Sequence, residues 1–270
     1  MNTQEKNHQT DSGNIHYWLT PGNPEQPWLV FLPGLTADHY LFDKQIPAFS
    51  DYNCLVWDAP GHAASRPFAL NFSMDDMARY LHEILEAEGI QNPVLIGQSL
   101  GGYIAQCYLA MYPGSADGFV SVDSAPLSRK YFSSWELGLL KDTRWMYEII
   151  PWKLLLKWGI SGTSRTAYGR ALMERTWAAY DRESFLDLTV HGYRILGEAV
   201  EARPEYKIDC PAMLLCGEKD AAGSSKRYNR RWTKEEGHPL HWLKGAGHNS
   251  NTDAPEEVNR LIGVFLNHLA

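Results

Sequence analysis

What this 270-residue chain has little of narrows its chemistry before any motif is considered. Cysteine is scarce: Cys54, Cys107, Cys210 and Cys216 each lie in or beside an apolar segment. No Cys-x-x-Cys occurs, and the ten histidines form no His-x-x-x-His pair, so no spacing offers a metal site. The expectation is therefore no metal. The thiols are expected to be free, because a chain this long and apolar needs no disulfide staples. Basic charge is also short, with 25 Lys and Arg against 32 Asp and Glu and a net charge of −7. That balance argues against a nucleic-acid partner. No apolar run approaches the ~18 residues of a membrane span, and the first ten residues are polar, unlike a secretory signal. A cytoplasmic protein with no membrane partner is expected. Repeats, low-complexity tracts and interdomain linkers are missing too. A chain with 44% hydrophobic residues suffices for one large domain, or one domain with an insertion.

What is present centres on Pro93-Val-Leu-Ile-Gly-Gln-Ser-Leu-Gly-Gly102. Val94, Leu95 and Ile96 form a short continuous apolar run, the pattern of a strand buried on both faces of a parallel sheet. After Gly101-Gly102, the residues Tyr103, Ile104, Cys107, Tyr108 and Met111 recur at helical spacing until Pro113. A strand that enters a helix through so few residues needs a tight turn, with Ser99 held near positive φ. Gly97 and Gly101 supply the lack of bulk that lets helix and strand approach. The Ser99 hydroxyl is thereby expected at the strand's carboxyl end, beside the Leu100 N–H and the positive end of the helix dipole.

This Gly-x-Ser-x-Gly turn between strand and helix resembles the nucleophile elbow of the α/β-hydrolase superfamily. The resemblance implies an α/β fold: a mostly parallel central sheet with helices on both faces and an inserted helical lid. It extends in fold from Ile15 onward. Trp28 to Leu32 reads as a strand ending in Pro33-Gly34-Leu35. In the family, the residue after a His-Gly-type loop gives a backbone N–H to the oxyanion hole. Leu35 matches that residue and Pro33 stands where the histidine often does, so Leu35 and Leu100 are the expected donors. Asp58-Ala-Pro-Gly61-His-Ala63-Ala-Ser65 is similar to the family's structural Asp-x-x-Gly-x-Gly-x-Ser turn, with Ala63 replacing the second glycine.

Elsewhere the pattern alternates strand and helix, the signature of a parallel sheet covered on both faces. Residues 1–12 are expected to be disordered or loosely attached. Ile15 to Leu19 reads as a half-buried strand, and Ser73 caps a helix through about Glu88. Phe119 to Asp123 is the next strand. After Ala125-Pro126 the alternation stops, and helix-like pieces cover 135–140, 145–158, 168–180 and 183–196. The expected division is a core of 1–126 and 201–270, with a helical lid or cap at 127–200. Trp135, Trp145, Trp152, Trp158 and Trp177 fall in that segment and are expected mainly to build its thin core. The sheet resumes at Pro211 to Cys216 and ends with Leu240 to Leu243. Asp253 is expected to cap a closing helix whose apolar stripe includes Val258, Leu261, Ile262 and Phe265.

The resemblance also assigns partners to Ser99. Asp220, in Gly217-Glu-Lys-Asp220, matches the family's acid, while Asp123 after the preceding strand is an alternative location for it. His248, in Gly245-Ala-Gly-His248 after the last strand, matches the base. The order Ser99, Asp220, His248 is the order of this fold. Chemically the set is coherent: a neutral serine hydroxyl needs an imidazole to take its proton, and the imidazole needs a carboxylate to fix its tautomer. His39, His62, His191, His238 and His241 are rival bases without that context, although His39 follows the oxyanion loop and could border the pocket. A serine at the elbow sets the chain apart from relatives that use aspartate there to open epoxides or displace halide, and from dienelactone-type relatives that use cysteine. The implied activity is a cofactor-free serine hydrolase acting on a small, partly apolar molecule through an acyl-enzyme. Carboxylic ester, thioester and lactone bonds all fit. A carbon–carbon bond hydrolase or lyase of the same fold is the alternative, as is a non-catalytic receptor.

Overall fold

The computed structural model describes residues 3–269. Eight strands form one sheet in the order β1-β2-β4-β3-β5-β6-β7-β8. They are β1 (Gln4–Thr10), β2 (Gly13–Thr20), β3 (Trp28–Leu32), β4 (Asn53–Trp57), β5 (Val94–Gln98), β6 (Gly118–Val122), β7 (Ala212–Gly217) and β8 (Leu240–Leu243). β1 and β2 enter antiparallel, and every pairing from β4 to β8 is parallel. The continuous apolar runs have the reason expected of them. In β3, Val30 and Leu32 join the core on one face while Leu29 and Phe31 join the core on the other. Each such fully buried side chain contributes about 1.5–3 kcal/mol.

Helix α1 (Met74–Ala87) opens with a capping box in which Ser73 and Asp76 bond each other's backbone N–H. It packs with α2 (Leu100–Met111) on the first face. On the second face lies the closing helix α10 (Pro255–Leu269), through Val258, Leu261 and Ile262. Between β6 and β7 the chain makes five α-helices: α3 (Ser134–Lys141), α4 (Arg144–Glu148), α5 (Trp152–Thr163), α6 (Ala167–Ala178) and α7 (Arg182–Glu201). Then come α8 (Ser225–Glu236) and the single turn α9 (Ser250–Asp253).

Several expectations are corrected. Of residues 1–12, residues 1–2 lie outside the described residues, but Gln4–Thr10 is a strand paired with β2 along its length. Its polar sequence hid it, because it is held by backbone bonds, by an ion pair from Lys6 to Glu88 at the end of α1 at 2.6 Å and by a hydrogen bond between His8 and Glu83 at 2.9 Å. The segment 145–158 is two helices rather than one, broken at Pro151, which stands before the first turn of α5. Asp253 does not cap the closing helix: it ends α9, and its carboxylate accepts from the backbone of Arg165, Thr166 and Gly247. The tryptophans of the insertion do not mainly build a core. Trp177 is buried and meets Phe185 edge-on, whereas Trp135, Trp145 and Trp158, on α3, α4 and α5, are 74%, 54% and 56% exposed. Ala63, where the resembling turn has glycine, takes φ of 36°, a left-handed conformation that glycine would adopt without strain.

Candidate active site

The turn between β5 and α2 is as tight as the sequence requires. Ser99 has φ of 49° and ψ of −117°, a conformation that costs a non-glycine residue about 1–3 kcal/mol. Neighbours hold it there: the Ser99 N–H donates to Val122 O at 2.9 Å, and Ser124 Oγ donates to Ser99 O at 2.7 Å. The flanking glycines answer to space. A Cβ on Gly97 would come within 2.5 Å of the Gly101 and Gly102 backbone, and one on Gly101 within 1.9 Å of Leu32 O.

Three residues far apart in sequence meet at the carboxyl ends of β5, β7 and β8. His248 Nε2 lies 2.8 Å from Ser99 Oγ, and its Nδ1 lies 3.1 Å from each carboxylate oxygen of Asp220. Asp220 is fixed in turn by the Ala222 N–H on Oδ1 at 2.8 Å and the Ser225 hydroxyl on Oδ2. Burial disfavours charge on both partners, yet their mutual attraction outweighs it. The imidazole is held above its ordinary pKa and the Asp220 carboxyl below its own. Asp123 sits nearby but faces differently. Its oxygens accept from Gly217 N at 2.7 Å and Ser250 N at 2.8 Å, and neither bonds the imidazole. Burial, and then the charge of Asp220, raise its pKa.

Leu100 is the first residue of α2, and Leu35 follows β3 beside the serine. Among the described residues the Leu35 amide has no hydrogen-bond partner, which leaves it available to a ligand. The rival histidines are engaged elsewhere. His39 pairs with Asp58 at 3.0 Å and stacks on Trp18, and it does not line the cavities at Ser99. His62 faces Pro60 O, His191 meets Arg194, His238 lies by Glu236, and His241 is half-buried within β8.

Two cavities open from Ser99 and His248. The inner one, about 190 Å³, is walled by Leu35, Leu155, Met173, Trp177 and Phe185. The outer one, about 590 Å³, is lined by Phe132, Trp135, Leu140, Met146 and Tyr228. Tyr147 and Tyr193, from α4 and α7, line both. Neither cavity is lined by a lysine or arginine, and the acidic side chains on the outer one are Asp123 and Glu136. Asp123, Cys216 and Asp220 bring potential metal-ligating atoms within 4.8 Å of one another. Their four carboxylate oxygens already accept hydrogen bonds, and burial raises the Cys216 pKa, keeping it a thiol, so the group fits a hydrogen-bond network better than a cation.

Residues 27–255 match the sequence pattern of the alpha/beta hydrolase fold. The chain belongs to the α/β-hydrolase family. Among α/β hydrolases of known structure it is similar to epoxide hydrolase A of Mycobacterium thermoresistibile, with TM-score 0.79 and 18% identity over 98% of both chains. It is also similar to a putative lipase of Acinetobacter baumannii AYE, with TM-score 0.74 and 19% identity over 99% of this chain and 92% of that one. These likenesses show the fold. Closer in sequence over a shorter stretch is 2-succinyl-6-hydroxy-2,4-cyclohexadiene-1-carboxylate synthase of Escherichia coli O1:K1 / APEC, 35% identical over 106 residues, 39% of this chain and 42% of that protein. The Escherichia fergusonii protein of the same name is 37% identical over 91 residues, 34% of this chain and 36% of its own. The match thus spans about two-fifths of the length of these curated relatives.

Sequence reasoning passed over several residues around this α/β-hydrolase site. Gln98 is a buried amide at the end of an apolar strand, which was a visible signal. It donates to His248 O at 2.9 Å and Asn249 Oδ1 at 3.2 Å. Ser225 and Asn249 carried no such signal, since they act on groups distant in sequence.

Proposed function

We propose that the chain is a serine hydrolase that cleaves an ester-like bond of a small, uncharged, partly apolar substrate, with Ser99 as nucleophile, His248 as base and Asp220 as its orienting acid. The observation that carries this reading is the hydrogen-bonded line from Ser99 through His248 to Asp220, opening onto two cavities without cationic side chains. The Ser99 oxygen attacks the carbonyl carbon while His248 Nε2 takes its proton. Asp220 stabilises the imidazolium through Nδ1–H. The carbonyl oxygen becomes an oxyanion facing the Leu35 and Leu100 amides, where each preorganised donor is worth roughly 2.7–4 kcal/mol. Collapse breaks the bond to the leaving group, to which His248 returns the proton. A water deprotonated by His248 then attacks the acyl-enzyme and frees Ser99.

The synthase relatives favour a second reading, carbon–carbon bond cleavage or elimination on the same three residues. Their name describes a product carrying a carboxylate, and a buried carboxylate needs a cation or a dense set of donors. The cavities offer Glu136 and Asp123 instead, so a neutral ester fits them better. Incubation with a fluorophosphonate and with a panel of p-nitrophenyl esters tests the choice. The expected outcome is stoichiometric labelling of Ser99 and ester turnover with an acyl-enzyme mass shift. Labelling without turnover of any ester, thioester or lactone would point to the second reading. Neither labelling nor turnover would fit a receptor.

A further inference from the structure

Between α5 and α6 the insertion bends through Ser164, Arg165 and Thr166, and this short hinge touches both loops that carry the partners of Ser99. On the His248 side, the Asn249 N–H donates to Thr163 O at 2.8 Å, and Asn249 Nδ2 donates to Ser164 Oγ at 3.2 Å. On the Asp220 side, the Arg165 guanidinium donates to Lys219 O at 3.1 Å. The centre of the junction is Asp253. Its Oδ1 accepts from Thr166 N at 2.9 Å, Thr166 Oγ at 2.9 Å and Arg165 N at 2.9 Å. Its Oδ2 accepts from Arg165 N at 2.8 Å and from Gly247 N at 2.8 Å. Gly247 immediately precedes His248. The fit is tight: a Cβ on Gly247 would lie 2.8 Å from Thr163 O and 3.2 Å from Asp253 Oδ2. Converging backbone donors from two segments require a group that only accepts, with lone pairs on both sides, which is a carboxylate. The helices joined by this hinge supply Leu155, Thr163, Met173 and Trp177 to the inner cavity.

We propose that Asp253 is a positioning residue that locks the His248 loop to the hinge of the helical insertion, so that filling the inner cavity beneath α5 and α6 is transmitted to His248 Nε2. The inference rests on the reading of Ser99, His248 and Asp220 given above. Asp253 touches no reacting atom. It acts by keeping the ring between Ser99 and Asp220; the other charged group acting on the ring is the nearby Asp123 carboxylate, which does not bond it.

The test compares wild type, Asp253→Asn and Thr166→Val in the full chain, with Ser99→Ala as the blank. Each is measured at least about 15 °C below its Tm, with a fluorophosphonate and with p-nitrophenyl acetate and hexanoate. Asparagine keeps the size but turns an N–H₂ group toward one set of donors. Asp253→Asn is expected to slow labelling and kcat by about 10- to 100-fold while KM stays within about three-fold. The pH midpoint of kcat/KM should fall as the ring loosens from Asp220, and the kcat advantage of hexanoate over acetate should shrink toward one. Thr166→Val, which removes the hydroxyl bond to Asp253 and the cap bond from Gly169 N–H at the start of α6 but leaves the carboxylate its backbone donors, should move all four readouts the same way by less. A merely structural Asp253 would lower Tm and leave them unmoved, and wild-type values in folded Asp253→Asn overturn the proposal. If that variant does not fold, wild-type values in Thr166→Val overturn it. A wild type that fails to label overturns the function proposed above, and this inference with it.

Discussion

Replacing Asp220 by asparagine separates the two acids that sequence reasoning left open, and the hydrogen bonds around them set the expected size. In the native site both oxygens of Asp220 lie 3.1 Å from His248 Nδ1 and can only accept, so Nδ1 carries the proton and Nε2 faces Ser99 as an acceptor. An asparagine has one donor end. The Ala222 N–H cannot rotate and fixes the carbonyl oxygen at the Oδ1 position, whereas the Ser225 hydroxyl can turn to accept. The amide nitrogen therefore takes the Oδ2 position and donates to Nδ1. That drives the ring proton to Nε2, where it points at the nucleophile. Recovering the reactive tautomer costs a mismatched buried hydrogen bond, about 1–3 kcal/mol, and the lost charge-assisted bond to the imidazolium removes about 1.5–3 kcal/mol more. The sum of roughly 2.5–6 kcal/mol is a fall of about 10² to 10⁴ in kcat/KM.

Asp123→Asn is the matched control. Its oxygens bond two backbone amides and not the ring, and its pKa is raised, so asparagine resembles a form already within reach. It should lower Tm by several degrees through one opposed amide pair, while kcat/KM falls by less than about ten-fold. Both variants are read by p-nitrophenyl ester kinetics across pH and by the rate of fluorophosphonate labelling. Removing the Asp220 carboxylate should also move the pH midpoint down, because burial then acts on the imidazolium with less to oppose it. A larger loss from Asp123→Asn than from Asp220→Asn would refute the assignment.

Further predictions address the rest of the site. Ser99→Ala should abolish fluorophosphonate labelling and lower kcat by at least ~10³, with near-native stability because alanine adds no volume; labelling of another serine would remove Ser99 from its role. With His248 as base, kcat/KM should rise with pH as the imidazolium is lost, through a midpoint above the ordinary imidazole value of about 6.5, and then level off. His248→Gln should remove that limb and the activity, and a flat profile from about pH 5 to 8 would point to another base or to a slow step other than chemistry. Met173→Phe should fill part of the inner cavity and shorten the optimal acyl chain of straight-chain p-nitrophenyl esters, each excluded CH₂ costing about 0.8 kcal/mol, roughly four-fold; an unchanged optimum would show that the acyl chain does not lie there.

The parallel sheet was legible because its strands are buried on both faces and so read as unbroken apolar runs, as in Leu29 to Leu32 and Val94 to Ile96. The elbow was legible for a related reason. A strand passing directly into a helix leaves a short list of residues able to stand in the turn, and Gly97, Ser99 and Gly101 meet it. β1 was missed because an edge strand held by backbone bonds and polar side-chain contacts needs no apolar pattern. The break at Pro151 was available and overridden by the periodicity on either side. The tryptophans misled because large aromatics favour burial on average, while burial at a given position depends on which helix face meets a neighbour. Trp177 finds Phe185, but Trp145 and Trp158 find solvent.

At the site, sequence could place Ser99, Asp220 and His248 because each follows a strand at its carboxyl end, where a parallel sheet gathers its loops. It could not show what holds them. Gln98 grips the His248 carbonyl, Asn249 grips Thr163 O, and Asp253 grips the amides of Arg165, Thr166 and Gly247. The partner in each case is main chain, and every residue has a main chain, so no residue type records the pairing. The feature that separates a neutral from an anionic substrate is hidden in the same way. The 25 basic residues are spread along the sequence, and only the folded chain shows that none of them lines either cavity at Ser99. Under the proposed function, motif residues indicate where the chemistry sits, and the side chains that the helices between β6 and β7 turn toward the two cavities would select the substrate.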